Sequence, residues 1–428
     1  MSMAEPETTA RFLPVLPPQP VGAAGTPGRN HIAMLALGVG AFAMFLLAVA
    51  GYGLVAIWFC TRGSMYVENV FPFWSWSRFL HEALVPARIY DFPVLDAFQH
   101  RIGPGYHKHL PFAYPPSFLL LLWPLGLLKI DVAYVVFLAV NLAAYIAVTW
   151  RREWGRLSTA LAVLAPSTVL AVIWAQNSLL VAALLFAGCR QVGRRPILAG
   201  VLFGLMSFKP QFGLLVPIAL ISAREWRCFA AASGTVLASV AASGVAFGWD
   251  TWTAMPAALA GLGNFVASAR FATASPTMTA SLRLLGVGPE AVQVGQILAA
   301  TLAGLTIFWC FRKGFRRLPT AALMVGAFFT TPYAFDYDLP ILTCAVMLVY
   351  CDAKATGVML RGWEIVVLAS VIVLPYLLFF TAPFFTSVHP PYGGIILVLL
   401  FGLIVRRVLV VDRRPALVAA MPPNATFA

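Results

Sequence analysis

The chain has 428 residues and a formal net charge of +13, with 61% hydrophobic and only 11% charged residues. Its mean hydropathy of +0.85 lies far outside the range of soluble globular proteins and excludes that class. Arginine and lysine occur in twos and threes between apolar tracts, a pattern typical of membrane orientation signals, so nucleic acid is excluded as a partner. We therefore predict an all-α polytopic integral membrane protein.

The two ends of the chain differ from its middle. Residues 1–30 are rich in Pro, Gly, Ala and Thr and are predicted to form a disordered cytoplasmic tail, because they cannot bury a core. The apolar tract 31–60 is too long for a signal-peptide core and shows no clear cleavage site, so we predict a retained first helix. One transmembrane domain then extends over 31–410, and 411–428 form a second cytoplasmic tail.

Apolar tracts separated by short polar breaks predict about twelve membrane crossings. Several tracts are shorter than the ~20 residues that a perpendicular span needs, so tilt or partial unwinding is expected there. The predicted spans are 31–60, 131–150, 157–175, 177–190, 196–208, 210–223, 227–248, 290–311, 318–334, 337–351, 362–382 and 391–410.

Clusters of basic residues fall at every second boundary and predict the orientation of the chain. By the positive-inside rule these clusters lie in the cytoplasm, as do both termini. The other boundaries then share the outer face, together with the loops 61–116 and 249–289. The basic clusters are Arg151, Arg152 and Arg156; Arg190, Arg194 and Arg195; Arg224 and Arg227; Arg312, Lys313, Arg316 and Arg317; Lys354 and Arg361; and Arg406 and Arg407.

Two segments are predicted to be helical without crossing the membrane. A crossing at 112–130 would put either the preceding loop or the arginines after residue 150 on the wrong side. We predict a re-entrant or outer-leaflet helix there, started by Pro115 and Pro116 and bent at Pro124. The segment 249–289 is predicted to form one or two amphipathic helices in the outer interface, with a plain interfacial belt as the alternative.

The cysteines show neither a CxxC motif nor a metal-ligand spacing. All of them lie in apolar tracts or at their ends, which favours a role as small core residues. They are Cys60, Cys189, Cys228, Cys310, Cys344 and Cys351.

Polar motifs occur in a characteristic order along the predicted outer face. They are Asp91-Phe92-Pro93-Val94, Tyr114-Pro115-Pro116-Ser117-Phe118 with Pro124-Leu125, Gln176-Asn177, Ala199-Gly200 through Gly204 to Lys209-Pro210-Gln211, and Pro332-Tyr333 with Asp336. This order, over residues 91–338, resembles glycosyltransferase family 87, also catalogued as a domain of unknown function. Its best-understood members are GT-C-type mannosyltransferases that use polyprenyl-phosphate-mannose.

The resemblance implies an inverting transfer of a hexose, mannose first among the candidates, on the outer face of the plasma (inner) membrane. The implied partners are a polyprenyl-phosphate sugar donor, a lipid or glycan acceptor and membrane lipid, with a hydrophobic groove for the polyprenyl tail. No cofactor, metal or nucleotide is implied, and the sequence has no P-loop. The loop 61–116 would be the catalytic loop.

An acceptor hydroxyl is a poor nucleophile at neutral pH, so a carboxylate must take its proton, whereas a phosphate leaves without a general acid. Asp91 stands at the position of the family's acid and is the predicted base. The alternative is an ordinary loop aspartate that caps a helix or pairs with Arg88. Asp96 is the rival base. If the loop is helical, its five-residue offset turns it away from Asp91 and favours a structural or acceptor-binding role.

Further residues are predicted to hold the donor and the acceptor. Lys209 lies among apolar residues, where an ionised lysine is costly without a partner, and is predicted to bind the donor phosphate. Its alternative is an interfacial lysine that reaches the membrane surface. His107 and Lys108 are predicted to join it, and His109 lies beside them in a loop with too few ligands for zinc. The predicted sugar or acceptor contacts are Asp96, Tyr114, Gln176, Asn177, Gln211, Tyr333, Asp336 and Asp338. For Gln176, Asn177 and Gln211 the alternative is that they cap the short helices around them.

Two other functions remain open on the sequence alone. A transporter or lipid flippase shares the many helices, but such proteins show internal repeats and polar groups near mid-membrane. Here no convincing repeat is found, and the polar motifs gather on one predicted face. An inactive membrane scaffold with the same fold is the third possibility.

Overall fold

The computed structural model describes residue 50 and residues 65–150, 159–160, 162–261, 272–381 and 390–412. Within these residues the fold is entirely helical, with sixteen α-helices joined by short turns and 3-10 helices. The predicted tails and most of the predicted first helix lie outside the described residues. The α-helices are α1 (Met65–Glu82), α2 (Phe92–Ile102), α3 (Ser117–Leu122), α4 (Ile130–Thr149), α5 (Pro166–Ile173), α6 (Ser178–Gln191), α7 (Pro196–Leu205), α8 (Val216–Ser222), α9 (Trp226–Phe247), α10 (Asp250–Gly261), α11 (Met278–Leu284), α12 (Pro289–Phe311), α13 (Arg317–Thr330), α14 (Pro340–Thr356), α15 (Gly362–Thr381) and α16 (Tyr392–Asp412).

Five of these helices, α4, α9, α12, α15 and α16, are long and apolar enough to cross a membrane. The protein is therefore a multi-pass membrane protein, but the prediction of about twelve spans is wrong for the described residues. Five other apolar stretches, each of 10–17 residues, are too short to span a bilayer core of about 30 Å at 1.5 Å per residue. The tracts 196–208 and 210–223, for example, are broken by 3-10 turns at Met206–Phe208 and Pro210–Phe212.

The predicted catalytic loop is largely helical. It contains α1, a 3-10 helix over Pro86–Tyr90 and α2. The segment that follows starts as α3 directly after Pro116, as predicted, and continues as a 3-10 helix over Trp123–Leu127, which contains Pro124. At eleven residues this segment is too short to cross a bilayer. The predicted amphipathic segment gives α10 and α11, and its residues 262–271 lie outside the described residues.

The polar motifs and the basic clusters that the sequence analysis places at helix boundaries lie at opposite ends of the same helices. Helix α6 begins at Ser178 and carries Arg190 in its last turn, whereas α13 begins at Arg317 and ends at Thr330. Helix α14 starts two residues after Asp338 and carries Lys354 in its last turn. At 14 residues, α6 separates its two ends by roughly 20 Å. The polar motifs therefore converge on one end of the bundle, as predicted.

The basic end contains a buried carboxylate of its own. Glu364 accepts hydrogen bonds from Arg406 at 3.0 Å and from Arg407 at 3.1 Å, and these pairs join the start of α15 to the end of α16. The five cysteines within the described residues are buried and form no disulfide among themselves, in agreement with their predicted role in the core. The sixth, Cys60, lies outside the described residues.

Two glycines allow α7 to pack closely against α9. A Cβ atom at Gly200 would lie 2.5 Å from the Cβ of Ala231 and from the carbonyl oxygen of Cys228, and a Cβ at Gly204 would overlap Thr235. A side chain at either position would force the backbones apart. The glycines of the Ala199–Lys209 motif thus serve helix packing and fix the path of the chain into Lys209.

We expect Gly200→Ala to lower the free energy of unfolding by roughly 1–3 kcal/mol, because the added methyl group overpacks the contact between α7 and α9. The control is Gly234→Ala, since a Cβ atom there meets nothing within 4 Å. That control should be neutral or stabilising by up to about 1 kcal/mol. Thermal unfolding of the purified protein in detergent measures both, and equal losses would contradict the packing argument.

Candidate active site

A buried ion pair joins Lys209 to Asp338. The Lys209 Nζ lies 2.8 Å from Asp338 Oδ1, and the two side chains are 7% and 5% exposed. Pro210 disfavours helical backbone at the residue before it, so Lys209 lies at the break between two 3-10 turns rather than inside a continuous helix. Lys209 thus has the charged partner that a buried lysine requires. It does not extend to the membrane surface, as the alternative interpretation had it.

The Asp338 carboxylate receives two further hydrogen bonds. The Ser178 hydroxyl donates to Oδ1 at 2.5 Å, and the backbone N–H of Phe335 donates to Oδ2 at 3.1 Å. Lys209 also donates to the Ser178 oxygen at 3.3 Å. The ends of three helical elements, α6, α7 and α14, thus meet at one carboxylate.

The turn between α5 and α6 supplies the next residues of the site. Ala175 takes a positive φ of 46°, a strained conformation for a residue with a side chain. The Gln176 side chain donates to the Trp174 carbonyl at 3.1 Å, and Asn177 donates to the Tyr114 hydroxyl at 3.4 Å. The Asn177 Oδ1 is buried without a hydrogen-bond partner among the described residues. Such a group is suited to binding a polar ligand.

Asp336 is the second buried carboxylate of the site and is 5% exposed. Burial raises its pKa from 3.8 to about 7, and the neighbouring charge of Asp338 acts in the same direction. The backbone N–H of Tyr337, 2.8 Å from Oδ1, and the adjacent Trp174 side chain oppose this shift. Asp336 is therefore about half protonated at neutral pH.

Two more residues complete the group. Burial raises the pKa of the Tyr333 phenol, and the charges of Lys209 and Asp338 also act on it, so it lies close to the ion pair. Lys108 donates to Asn69 at 2.8 Å and lies 5.0 Å from the centre of the Trp174 ring. We define the buried polar cluster as Tyr114, Trp174, Gln176, Asn177, Ser178, Lys209, Tyr333, Asp336 and Asp338, with Lys108 at its edge.

Asp91 lies outside this cluster but is connected to it. Its carboxylate is exposed, lies 3.2 Å from Arg88 Nη2 and makes no side-chain cap bond at the start of α2. The neighbouring Tyr90 donates its hydroxyl to the Tyr114 carbonyl at 2.7 Å. One residue thus separates Asp91 from direct contact with the cluster. The pair with Arg88 is the one expected from the alternative interpretation, in which Asp91 is an ordinary loop aspartate.

The structure places the remaining predicted residues elsewhere. Asp96 lies on α2 and accepts from His109 at 3.0 Å. His107 is exposed and lies in the same loop as His109, two residues before it. Gln211 is half-buried in the 3-10 turn Pro210–Phe212. The sequence prediction missed Ser178 and Trp174. Ser178 directly follows Gln176-Asn177 at a helix start and could have been found there, but Trp174 carries no local signal.

We expect Lys209→Met to cost roughly 3–5 kcal/mol of unfolding free energy, because it leaves Asp338 buried and unpaired. The double variant Lys209→Met/Asp338→Asn should recover most of this loss, since an asparagine carries no charge and can still accept hydrogen bonds. Thermal unfolding in detergent measures both variants. A double variant as unstable as the single one would contradict this account of the pair.

The raised pKa of Asp336 predicts a pH-dependent stability difference. Between pH 4 and pH 7 the unfolded chain loses this proton while the folded protein keeps it, so rising pH favours unfolding through this group. The Tm of Asp336→Asn relative to wild type should therefore increase from pH 5 to pH 8. Asp131→Asn, a change at an exposed carboxylate, is the control, and its difference should stay constant. A constant difference for Asp336→Asn would refute the shift.

Comparison with known proteins gives one match. The family model of glycosyltransferase family 87 matches residues 112–335, a little more than half of the chain. The matched range includes Tyr114, Asn177, Lys209 and Tyr333, begins after Asp91 and ends one residue before Asp336. No curated protein and no solved structure matches. The chain, a multi-pass membrane protein, belongs to glycosyltransferase family 87.

Proposed function

We propose that this membrane glycosyltransferase transfers a hexose, mannose first among the candidates, from a polyprenyl-phosphate sugar to an acceptor hydroxyl. The reaction takes place on the outer face, because the buried polar cluster lies at the helix ends opposite the arginines. The acceptor oxygen forms a bond to the anomeric carbon as the bond to the phosphate oxygen breaks, with inversion. The hydroxyl proton passes to Asp91, and polyprenyl phosphate leaves.

The environment of Asp91 is the observation that carries this proposal. Its side chain is 44% exposed, and its contact with Arg88 is a surface ion pair of the kind that contributes little. The absence of a side-chain cap bond leaves the carboxylate oxygens available to an acceptor hydroxyl. A general base must reach the proton that it accepts, and exposure beside a buried polar site allows this.

The charges of the cluster favour a phosphate ligand. Lys209 and Asp338 neutralise each other, and Asp336 is about half protonated at neutral pH because burial raises its pKa to about 7. Lys108 adds a positive charge at the edge. An ammonium group has three N–H donors, and Lys209 gives two of them to Asp338 and Ser178. The third remains for the departing phosphate, and His107 and Lys108 would reach it from the loop.

An apolar groove next to the cluster supports a polyprenyl donor. The cavity of about 470 Å³ lies between α7 and α9 and is lined by Leu120, Ile197, Val201 and small residues of α9. Val201 lies on α7, which ends at Leu205, and Lys209 follows after the 3-10 turn Met206–Phe208. Leu120 belongs to α3, whose Phe118 stacks on Phe208, the residue before Lys209, with ring centres 5.0 Å apart. Two of the helices that line the groove are therefore connected to the segment that carries Lys209.

The test is Asp91→Asn, assayed with purified protein, radiolabelled polyprenyl-phosphate-mannose and a panel of candidate acceptors. We expect transfer to fall at least 100-fold, in line with the usual contribution of a general base. Unfolding should change little, because the side chain is exposed. Asp131→Asn, also exposed, should retain full transfer. If Asp91→Asn transfers the sugar as fast as the wild type, Asp91 is not the base. Movement of lipid across the membrane without sugar transfer would favour a flippase.

A further inference from the structure

Three side chains with metal-binding atoms meet beside α2, apart from the buried polar cluster. Asp96 Oδ1 lies 3.0 Å from His109 Nδ1, and Asp96 Oδ2 lies 3.5 Å from His100 Nδ1. The ligand atoms of all three residues lie within 4.8 Å of one another. We call this group the Asp–His cluster.

The fold explains why these residues meet. Asp96 and His100 are four residues apart on α2, so they share one face of the helix. Gly103 ends that helix where a Cβ atom would overlap Phe71 and Tyr106, and the chain turns back there. Gln99 and Trp76 then donate to the carbonyl of residue 110 at 3.3 Å and 3.1 Å. These bonds hold the backbone directly after His109 and place its ring against Asp96.

The distances match the dimensions of a zinc site. Zinc binds imidazole nitrogen and carboxylate oxygen at about 2.0–2.2 Å in a tetrahedral arrangement, so neighbouring ligand atoms lie roughly 3.3 Å apart. The distance from Asp96 Oδ1 to His109 Nδ1, 3.0 Å, and that from Asp96 Oδ2 to His100 Nδ1, 3.5 Å, lie on either side of this value. His100 Nδ1 also lies 3.0 Å from the Asp96 backbone carbonyl oxygen, so zinc would displace that hydrogen bond. Two imidazoles and one carboxylate also form a donor set that suits zinc and other late transition metals better than calcium or magnesium.

Hydrogen bonds alone do not satisfy all the polar atoms of the Asp–His cluster. The His109 side chain is only 9% exposed, and its Nε2 is buried without a hydrogen-bond partner among the described residues. Burial of this ring therefore has a cost, which its one hydrogen bond with Asp96 offsets only in part. A metal bond at Nδ1 would leave Nε2 unpaired but would contribute more stability than that single hydrogen bond does. His100 and Asp96 are more exposed, at 66% and 36%, and they leave an open side from which the ion enters.

We propose that Asp96, His100 and His109 bind a divalent transition metal of the zinc class, with the fourth position open to solvent. This departs from the prediction that no metal is present, which considered only His107 and His109. The ion would fasten the loop 103–110 to α2 and so fix Lys108, which lies in that loop at the edge of the buried polar cluster. The site goes beyond the proposed function, because proton transfer to Asp91 does not require it.

The experiment uses the purified full-length protein in detergent, stripped with a chelator and titrated with Zn²⁺ alone. We expect one ion per chain by metal analysis after gel filtration, and a rise in Tm on addition of zinc. Cobalt in place of zinc should give visible absorption bands typical of four-coordinate Co²⁺. His100→Ala should weaken zinc affinity at least tenfold. Because its side chain is 66% exposed, this variant should fold even if His109→Ala does not.

The control is His107→Ala, an exposed histidine two positions from His109 in the same loop. It should bind zinc as the wild type does. No zinc uptake by the wild type would overturn the proposal and leave Asp96, His100 and His109 as a hydrogen-bonded group only. Equal uptake by the wild type and His100→Ala would also overturn it and identify adventitious binding. Neither result depends on transfer activity, so failure of the metal proposal is separable from failure of the proposed function.

Discussion

The Lys209–Asp338 pair is the constraint on which the candidate site depends. Two charges removed from water are tolerated only when each has a partner and further hydrogen bonds, and here the serine at the start of α6 and the backbone of Phe335 complete the set. Since these groups come from distant parts of the chain, their pairing fixes three helix ends in one place. Asn177 directly precedes Ser178, and Asp336 lies two residues before Asp338. The ion pair that fixes these helix ends therefore also positions Asn177 and Asp336.

This constraint also explains why apolar tracts overestimate the number of spans. The lysine and the two aspartates meet at helix ends, where the turns allow their side chains to converge. Prolines at the first turns of α5, α7 and α14 divide the apolar tracts into short helices. Helix α14 starts at the site, whereas α5 and α7 end beside it. The resulting helices have 8, 10 and 17 residues, and hydropathy alone does not distinguish such a helix from a tilted span.

Periodic and compositional features of the sequence were sufficient to predict the class of the protein and the end of the bundle where its polar motifs gather. Arg190 and Arg317 lie at the opposite end of the bundle. The positive-inside rule assigns them to that end without any knowledge of contacts. The partner of Lys209 was beyond sequence reasoning, because Asp338 lies 129 residues away and no local pattern encodes that distance. The Asp–His cluster was missed for the same reason, since two of its members come from a helix and one from the returning loop.

The two candidate carboxylates occupy opposite environments, and this difference separates their roles under the proposed function. Asp91 is exposed, so an acceptor hydroxyl can approach it. Asp336 is buried, and the rise of its pKa to about 7 makes it a poor anion but a useful hydrogen-bond donor. Each proton that Asp336 takes up removes a negative charge that would repel a donor phosphate. Under the proposed function, the buried site thus carries less negative charge than its two carboxylates could hold, while the exposed Asp91 stays accessible to the acceptor.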